Sequence, residues 1–159
     1  MSKTLVAYFS ASGVTGSAAR TLSAALNADL YEIAPATPYT DADLDWRNAN
    51  SRSSIEMKDK SSRPAITDTP ADVADCDTVL VGFPISWYVA PTIVNTFLEK
   101  HDFSGKKIIL FATSGGSGFG RTADGLKASA PGAVIEEGML QRGRQDMDAW
   151  TAWAKGLAL

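Results

Sequence analysis

The chain has 159 residues, of which 45% are hydrophobic and 21% are charged. This length and balance are typical of one globular domain, so we expect residues 1–159 to fold around a single core. The 15 basic and 18 acidic residues give a net charge of −3, which excludes the strongly basic surface of a nucleic-acid-binding protein. A single cysteine and a single histidine exclude an internal disulfide and the usual zinc sites.

The apolar run near the N-terminus is too short for a targeting or membrane segment. It comprises only the residues from Leu5 to Phe9, whereas a signal peptide needs at least about seven apolar residues and a membrane span about twenty. We therefore expect a cytoplasmic protein that does not bind membranes. The lone Cys76 agrees with a reducing compartment.

Five apolar runs of strand length alternate with segments of helical period. The runs cover residues 5–9, 30–33, 78–83, 108–112 and 133–135. Three of them are nearly all apolar, as expected of strands that are covered on both faces. Helical spacing is found at residues 18–26, 93–98 and 150–157 and, more weakly, at 121–130. This alternation predicts parallel crossovers and an α/β fold, with a five-stranded, doubly wound sheet between two layers of helices.

The long connection from residue 34 to residue 77 departs from this alternation, because it is rich in polar and acidic residues. We expect one helix near residues 41–50, capped by Thr40 or Asp41, and then a mobile stretch rich in serine and lysine at 51–62. Nothing in the connection predicts a second domain.

The residues that follow each strand are the candidates for a site, because ligands of open α/β sheets bind outside the carboxyl ends of the strands. Residues 10–17 (SASGVTGS) follow the first strand and enter the first helix. Helix-start N–H groups, the positive end of the helix dipole and nearby hydroxyls together favour an anion such as a terminal phosphate. The alternative is an ordinary helix cap formed by Ser12 or Thr15. Neither a Walker A lysine nor the dinucleotide G-x-G-x-x-G spacing is present.

Two further strand ends carry unusual residues. The third strand leads into Trp87 and Tyr88, adjacent aromatic residues between prolines that fit neither strand nor helix spacing. They suit one wall of a slot for a planar ring, unless Trp87 packs beneath the loop. Four glycines follow the fourth strand within residues 113–120, and they either let the backbone approach a ligand closely or form a flexible surface loop.

These three loops resemble those of flavodoxin-like proteins, which bind flavin mononucleotide (FMN) non-covalently, and the resemblance covers nearly the whole chain. The pattern Ser10-x-Ser12-Gly13-x-Thr15 is similar to the family's phosphate loop. Residues 82–87, followed by Pro91 and 96–99, resemble the second loop and its helix, and residues 113–118 resemble the third loop of one subgroup. The family's fold implies a three-layer sandwich with the strand order 2-1-3-4-5.

The resemblance implies FMN as the cofactor and assigns two groups of residues to it. The phosphate would be held by Ser10, Ser12, Gly13, Val14 and Thr15. The isoalloxazine ring would be framed by Pro84, Ile85, Ser86, Trp87, Tyr88, Ser114, Gly115, Gly116 and Ser117. No catalytic side chain and no metal ligand are expected, because the flavin itself carries the redox chemistry.

The chain departs from the acidic electron carriers of this family, since none of its acidic residues lies in the three loops. Arg121, Arg142 and Arg144 instead follow the third loop and the last strand. A near-neutral or basic rim suits a small electron acceptor such as a quinone at least as well as a redox partner protein. Tyr39, at the start of the long connection, either reaches the cofactor or caps the sheet edge.

The resemblance implies an electron-transfer flavoprotein as the leading function. The alternative on the same fold is a quinone or flavin reductase that uses NADH or NADPH. A cofactor-free interaction module is a third possibility. A signalling receiver domain lacks support, because Phe9–Ser10 and Phe83–Pro84 stand where its acidic cluster would be.

Overall fold

The sheet consists of five parallel strands, which were located in a computed structural model of the chain. The structure describes residues 3–10, 13–45, 47–59, 61–67, 71, 73–85, 91–114, 118–120 and 122–157. The strands are β1 (Thr4–Tyr8), β2 (Asp29–Glu32), β3 (Thr78–Ile85), β4 (Lys107–Ser114) and β5 (Val134–Arg142). Their order across the sheet is β2-β1-β3-β4-β5, with every neighbouring pair parallel. This confirms the expected doubly wound sheet and its strand order.

Helices cover both faces of the sheet and complete the three layers. They are α1 (Val14–Leu26), α2 (Arg52–Lys58), α3 (Thr92–Glu99), α4 (Thr122–Lys127) and α5 (Met147–Lys155). One core lies between the sheet and the pair α1 and α5, and it includes Leu22 and Trp150. The other core lies between the sheet and the pair α3 and α4, and it includes Phe97 and Leu126. None of the helices in the described part of the chain is long and apolar enough to cross a membrane.

The alternation of side chains along β1 shows why both faces are apolar. Leu5 and Ala7 contribute to the core beneath α3 and α4, whereas Val6 and Tyr8 contribute to the core beneath α1 and α5. Because both faces are covered, a run of apolar residues without a polar partner is the stable pattern for a central strand. The same holds for β3, where all residues except Pro84 are buried.

The expected helix at residues 41–50 and the expected mobile stretch at 51–62 are wrong. Thr40 does start a helical turn, because Thr40 and Asp43 exchange backbone-to-side-chain hydrogen bonds of 3.0 and 3.1 Å. The turn ends after Leu44, and the Asp45 carboxylate accepts from the backbone N–H of Arg47 at 3.1 Å, which favours a turn over a helix. The helix of this connection is α2, which begins after Ser51, whose hydroxyl accepts from the Ser54 N–H.

The last strand is longer than the run 133–135 that the sequence indicates. It continues to Arg142 because β5 is an edge strand, where polar side chains can point to solvent. Glu136 and Glu137 lie within this strand and are exposed. A register shift opposite Leu110–Ala112 places Gly138 against the Leu110 carbonyl and the Trp153 ring, so that a β-carbon there would lie 2.5 and 2.4 Å from them.

Candidate functional site at the carboxyl edge of the sheet

The crevice between β1 and β3 is the natural position for a ligand. These strands are neighbours at the centre of the sheet, and the helices α1 and α3 pack on opposite faces of it. A doubly wound sheet opens a crevice at such a switch point. On β4, Thr113 lies beside Pro84 and Ser114 beside Ile85. The three loops that the sequence singles out therefore leave neighbouring positions of one sheet edge.

The turn between β1 and α1 is held open by a glycine in a left-handed conformation. Gly13 is the N-cap residue of α1, with φ of 92°, and its N–H donates to the Ser10 hydroxyl at 3.0 Å. Among the described residues other than its chain neighbours, no heavy atom would lie within 4 Å of a β-carbon built on Gly13. The left-handed glycine thus leaves space beside this turn that a side chain would fill.

The first turn of α1 follows Gly13 and has backbone donors without a partner inside the helix. Gly13 has no side chain to accept from them, and among the described residues no side chain accepts from the N–H groups of Val14, Thr15 or Gly16. The first turn carries no acidic residue either. Unpaired N–H groups and the helix dipole together make this turn electropositive, which suits an anion. Val14 is 41% exposed at this position.

Thr15 makes a contact that was not expected from the sequence. Its Oγ1 lies 2.8 Å from Oγ1 of Thr113, and both side chains are buried, with 1% and 4% of their surface exposed. The two residues stand 98 positions apart in the chain. The hydroxyl pair therefore joins the start of α1 to the end of β4, directly before the third loop. Thr113 was not among the predicted site residues. It reaches the start of α1 because this helix packs on the sheet next to the end of β4.

Two glycines allow the elements around the crevice to pack closely. A β-carbon on Gly82 would lie 2.1 Å from the Phe111 ring, and one on Gly16 would lie 3.4 Å from the Tyr8 ring. Gly82 also accepts a hydrogen bond of 2.9 Å from the Phe9 N–H, which aligns the ends of β1 and β3. The Phe111 ring thus occupies the space that a side chain at residue 82 would need.

The second and third loops are described only where they begin. Pro84 and Ile85 are the last residues of β3, with Ile85 buried, and Ser114 is the last residue of β4. The Ser114 carbonyl accepts from the Gly143 N–H at 2.8 Å, which fixes the third loop's start against the end of β5. The remaining predicted residues lie outside the described part of the chain, and their roles stay predictions: Ser12, Ser86, Trp87, Tyr88, Gly115, Gly116 and Ser117.

The rim beside the third loop carries arginine residues. A β-carbon on Gly118 would lie 3.2 Å from the Arg142 guanidinium, so that this group lies against the loop's far end. Arg144, two residues further along the chain, is exposed. Arg121 lies outside the described residues. Asp146 and Asp148, a few residues beyond Arg144, are exposed as well, so the described rim carries charges of both signs.

The connection between β2 and β3 packs against the same edge. Tyr39 contacts Phe9 edge to face, with ring centroids 5.7 Å apart, and its hydroxyl donates to the Glu56 carboxylate at 2.5 Å. Arg52 stacks on the Tyr39 ring at 3.9 Å and also binds the Glu56 carboxylate at 3.2 Å. Burial and the bond to Glu56 both raise the pKa of Tyr39, so the phenol keeps its proton. Of the two predicted roles for Tyr39, these contacts agree with capping of the sheet edge.

The other end of the connection reaches the helix that follows the second loop. The Ser62 hydroxyl donates to the Glu56 carbonyl at 3.2 Å and lies 2.7 Å from the Thr92 hydroxyl at the start of α3. The connection is thus tied to the end of β1 through Tyr39 and to the start of α3 through Ser62. It forms a wall along the α3 side of the crevice.

Comparisons with known proteins agree with this architecture. A family model described as flavodoxin matches residues 3–157. The chain is 50% identical to a candidate flavoprotein from Bacteroides eggerthii DSM 20697, with a TM-score of 0.89 over 100% of this chain and 99% of that one. A second candidate flavoprotein, from Bacteroides uniformis ATCC 8492, is 46% identical, with a TM-score of 0.89 over 97% and 98% of the two chains.

A more distant structure shares the fold. It is a flavoprotein in complex with FMN from Lactobacillus acidophilus NCFM, 21% identical, with a TM-score of 0.68 over 95% of this chain and 99% of that one. Comparison with curated proteins gives no significant match. Because the family model covers nearly the whole chain, and because two solved structures share about half of its residues, the chain belongs to the flavodoxin family.

Proposed function

We propose that this protein binds FMN at the carboxyl edge of its sheet and transfers electrons through it. The observation that carries the proposal is the start of α1, where the open left-handed turn at Gly13 faces backbone donors for which no described side chain is an acceptor. A phosphate group is the complement of that arrangement. Family membership and a flavoprotein of the same fold that holds FMN support the choice of flavin.

The residues present fit a phosphorylated flavin. The phosphate end would be held by the first turn, with the N–H groups of Val14 and Thr15 and the hydroxyls of Ser10 and Ser12 as candidate donors, while the Gly13 N–H is bound by the Ser10 hydroxyl. The ring would lie between the second and third loops, framed by residues 84–88 and 114–117. The open turn leaves room for the phosphate, because no described residue other than the chain neighbours of Gly13 would lie within 4 Å of a β-carbon there.

Bound FMN would supply the electron or hydride transfer, and the protein would bind it, orient it and shape its surroundings. The phosphate turn would hold one end of the cofactor, and the wall formed by Tyr39, Arg52 and Glu56 would limit solvent on the α3 side. Tyr39 would not donate a proton in this scheme, because burial and Glu56 raise its pKa. Among the described residues, no group of histidine, cysteine, aspartate and glutamate is arranged for a metal ion.

The absorption spectrum of freshly purified protein is the first test. We expect a yellow protein, and we expect cofactor-stripped protein to regain the spectrum and to melt at a higher temperature when FMN is added. Riboflavin, which lacks the phosphate, should bind more weakly. A colourless protein whose melting temperature does not rise with added FMN would refute the proposal and favour an interaction module.

The electron acceptor or donor is either a redox partner protein or a small molecule such as a quinone. The absence of acidic residues from the three loops supports the small-molecule alternative, because an acidic rim is what steers basic partner proteins. A reductase that takes hydride from NADH or NADPH is therefore the second candidate function. Anaerobic mixing with each nicotinamide separates the two: direct bleaching supports a reductase, and dependence on a separate reductase supports a carrier.

We also propose that the protein acts in the cytoplasm. The support is the single cysteine of the sequence, Cys76, which is buried in the core as expected in a reducing compartment. Fractionation of cells that express the tagged protein would test this, and recovery outside the cytoplasmic fraction would contradict it.

A further inference from the structure

The contact between Thr15 and Thr113 ties a hydroxyl of α1 to the sheet. Two other hydroxyl groups of α1 donate to the carbonyl one turn back, as Thr21 does to Ser17 at 3.0 Å and Ser17 does to Gly13 at 3.2 Å. Thr15 points instead to a side chain on the sheet, at 2.8 Å. Its hydroxyl is thereby fixed at the start of α1, beside the open turn at Gly13.

The position of Thr113 fixes the other half of the pair. It lies in β4 between two strands, beside Pro84 of β3 and Gln141 of β5. Alternation along β4 places Phe111 in the core beneath α1 and α5, so Thr113, two residues later, has its side chain on the same face. The hydroxyl of Thr113 thus belongs to the rigid sheet, whereas that of Thr15 belongs to the turn that would receive the phosphate.

The protons of the two hydroxyl groups bear on which of them donates in the hydrogen bond between Thr15 and Thr113. Two hydroxyls have two protons, and the hydrogen bond between them uses one. Within the described part of the chain, neither Oγ1 has a second hydrogen-bond partner. Both side chains are buried, and a buried donor without an acceptor is costly, so the second proton calls for an acceptor from outside these residues.

We propose that Thr113 is a positioning residue for the cofactor phosphate: Thr113 donates to Thr15, and Thr15 donates its own proton to a phosphate oxygen. The inference rests on the proposed function. The opposite direction would leave the spare proton on Thr113, inside the sheet and further from the helix donors. A hydroxyl that accepts one hydrogen bond is a stronger donor for the next, so Thr113 increases the affinity for phosphate without contacting it.

The test measures the affinities of cofactor-stripped protein for FMN and for riboflavin by calorimetric titration. Thr113→Val keeps the shape of the side chain and removes its hydroxyl. We expect it to weaken FMN binding by about 3- to 10-fold, the range for one lost hydrogen bond, and to change riboflavin binding by less than about twofold. Thr113→Ser keeps the hydroxyl and should bind FMN within about twofold of the parent. If Thr113→Val does not fold, Thr113→Ala serves in its place.

The double variant with Thr15→Val separates this role from simple packing. Since Thr113 acts through Thr15, adding Thr113→Val to Thr15→Val should cause no further loss of FMN affinity. Two losses that multiply, or equal losses for FMN and riboflavin, would overturn the inference. The inference would also be overturned if the Thr113→Val variant bound FMN as tightly as the parent does. A parent that binds no FMN would instead refute the proposed function.

Discussion

The turns that lead into α1 and α5 begin at the same edge of the sheet and are built in opposite ways. At α5 the polar groups are satisfied within the protein: the Asp146 carboxylate accepts from the Ala149 N–H at 3.1 Å, and Gln141 exchanges two hydrogen bonds with the Asp146 backbone at 2.6 and 2.8 Å. The first turn of α5 also contains Asp148. At α1 the cap is Gly13, and the first turn has no acidic residue.

The difference agrees with the proposal that α1 receives the phosphate. Both turns face the same solvent and carry the same backbone dipole, so stability alone would favour a capped and negatively charged start in both. Only α5 has one. The missing cap at α1 is understandable if a bound anion takes the place of the cap. Substitutions that make the turn at α1 resemble the turn at α5 should therefore raise stability and lower the affinity for FMN.

The largest effect is expected from Val14→Asp, which gives α1 the charge that α5 already has. An aspartate in the first turn stabilises a helix by about 0.3–1 kcal/mol, so the cofactor-stripped variant should melt slightly above the parent. The same charge would repel a phosphate, and we expect FMN affinity to fall at least about 10-fold. Calorimetric titration and thermal melting measure both effects.

The matched control for this change is Val14→Asn, which has a similar size and no charge. It should bind FMN within a few-fold of the parent. A Val14→Asp variant that retains the parent's FMN affinity would mean that the phosphate does not lie at α1.

The second effect is expected from Gly13→Ala, which fills the open turn. Placing a β-carbon at φ of 92° costs about 1–2 kcal/mol of unfolding free energy, and the added carbon occupies the space proposed for the phosphate. Gly105→Ala is the control, since Gly105 has φ of 76°, open space around it and a position before β4 at the opposite edge. Chemical denaturation should show similar losses for both variants, with FMN affinity reduced only in Gly13→Ala. If Gly13→Ala and Gly105→Ala bound FMN with equal affinity, the phosphate would not lie at the turn of Gly13.

A third effect should be confined to stability. Asp146→Ala removes the cap of α5, and we expect the unfolding free energy to fall by about 1 kcal/mol, with FMN affinity unchanged. Asp146→Asn retains an oxygen that can accept from the Ala149 N–H and should recover most of the loss. If Asp146→Ala also lost FMN, the two turns would not be independent as described.

The smallest effect concerns inorganic phosphate. If it occupies the turn at α1 weakly, it should raise the unfolding free energy of cofactor-stripped protein by about 0.4 kcal/mol when its concentration equals its dissociation constant. Sodium chloride at equal ionic strength is the control for screening. Stabilisation that persists in Val14→Asp would place the anion elsewhere.

The alternating pattern of apolar runs was sufficient to predict the strands of the sheet and their parallel arrangement, because central strands covered on both faces have an almost unbroken apolar sequence. The edge strand β5 was underestimated for the same reason: Glu136 and Glu137 interrupt the pattern although both lie in the strand. The helix of the long connection was misplaced, because Thr40 and Asp43 form a true helix-start pattern that ends after one turn. Local cap signals do not reveal how far a helix continues.

The residues of the candidate site also differ in how far the local sequence predicts their contacts. The residues of the first turn could be predicted, since Ser10 and Gly13 act within a few positions of each other. Thr113 could not, because its contact with Thr15 depends on the packing of α1 against a strand from the other half of the chain. Tyr39 is an intermediate case: its place near the sheet edge was expected, but its bond to Glu56 was not.

The ends of the long connection have a consequence for protein engineering. An isolated antiparallel bridge joins Pro35 to Ile66, and hydrogen bonds of 2.8 and 2.9 Å link Ala36 to Ala65 and Thr67 to Ala34. Since these contacts close the segment at its base, its length has little influence on the strands that flank it. A shorter or longer segment grafted between residues 36 and 65 should therefore change which molecules approach the crevice while the sheet keeps its register.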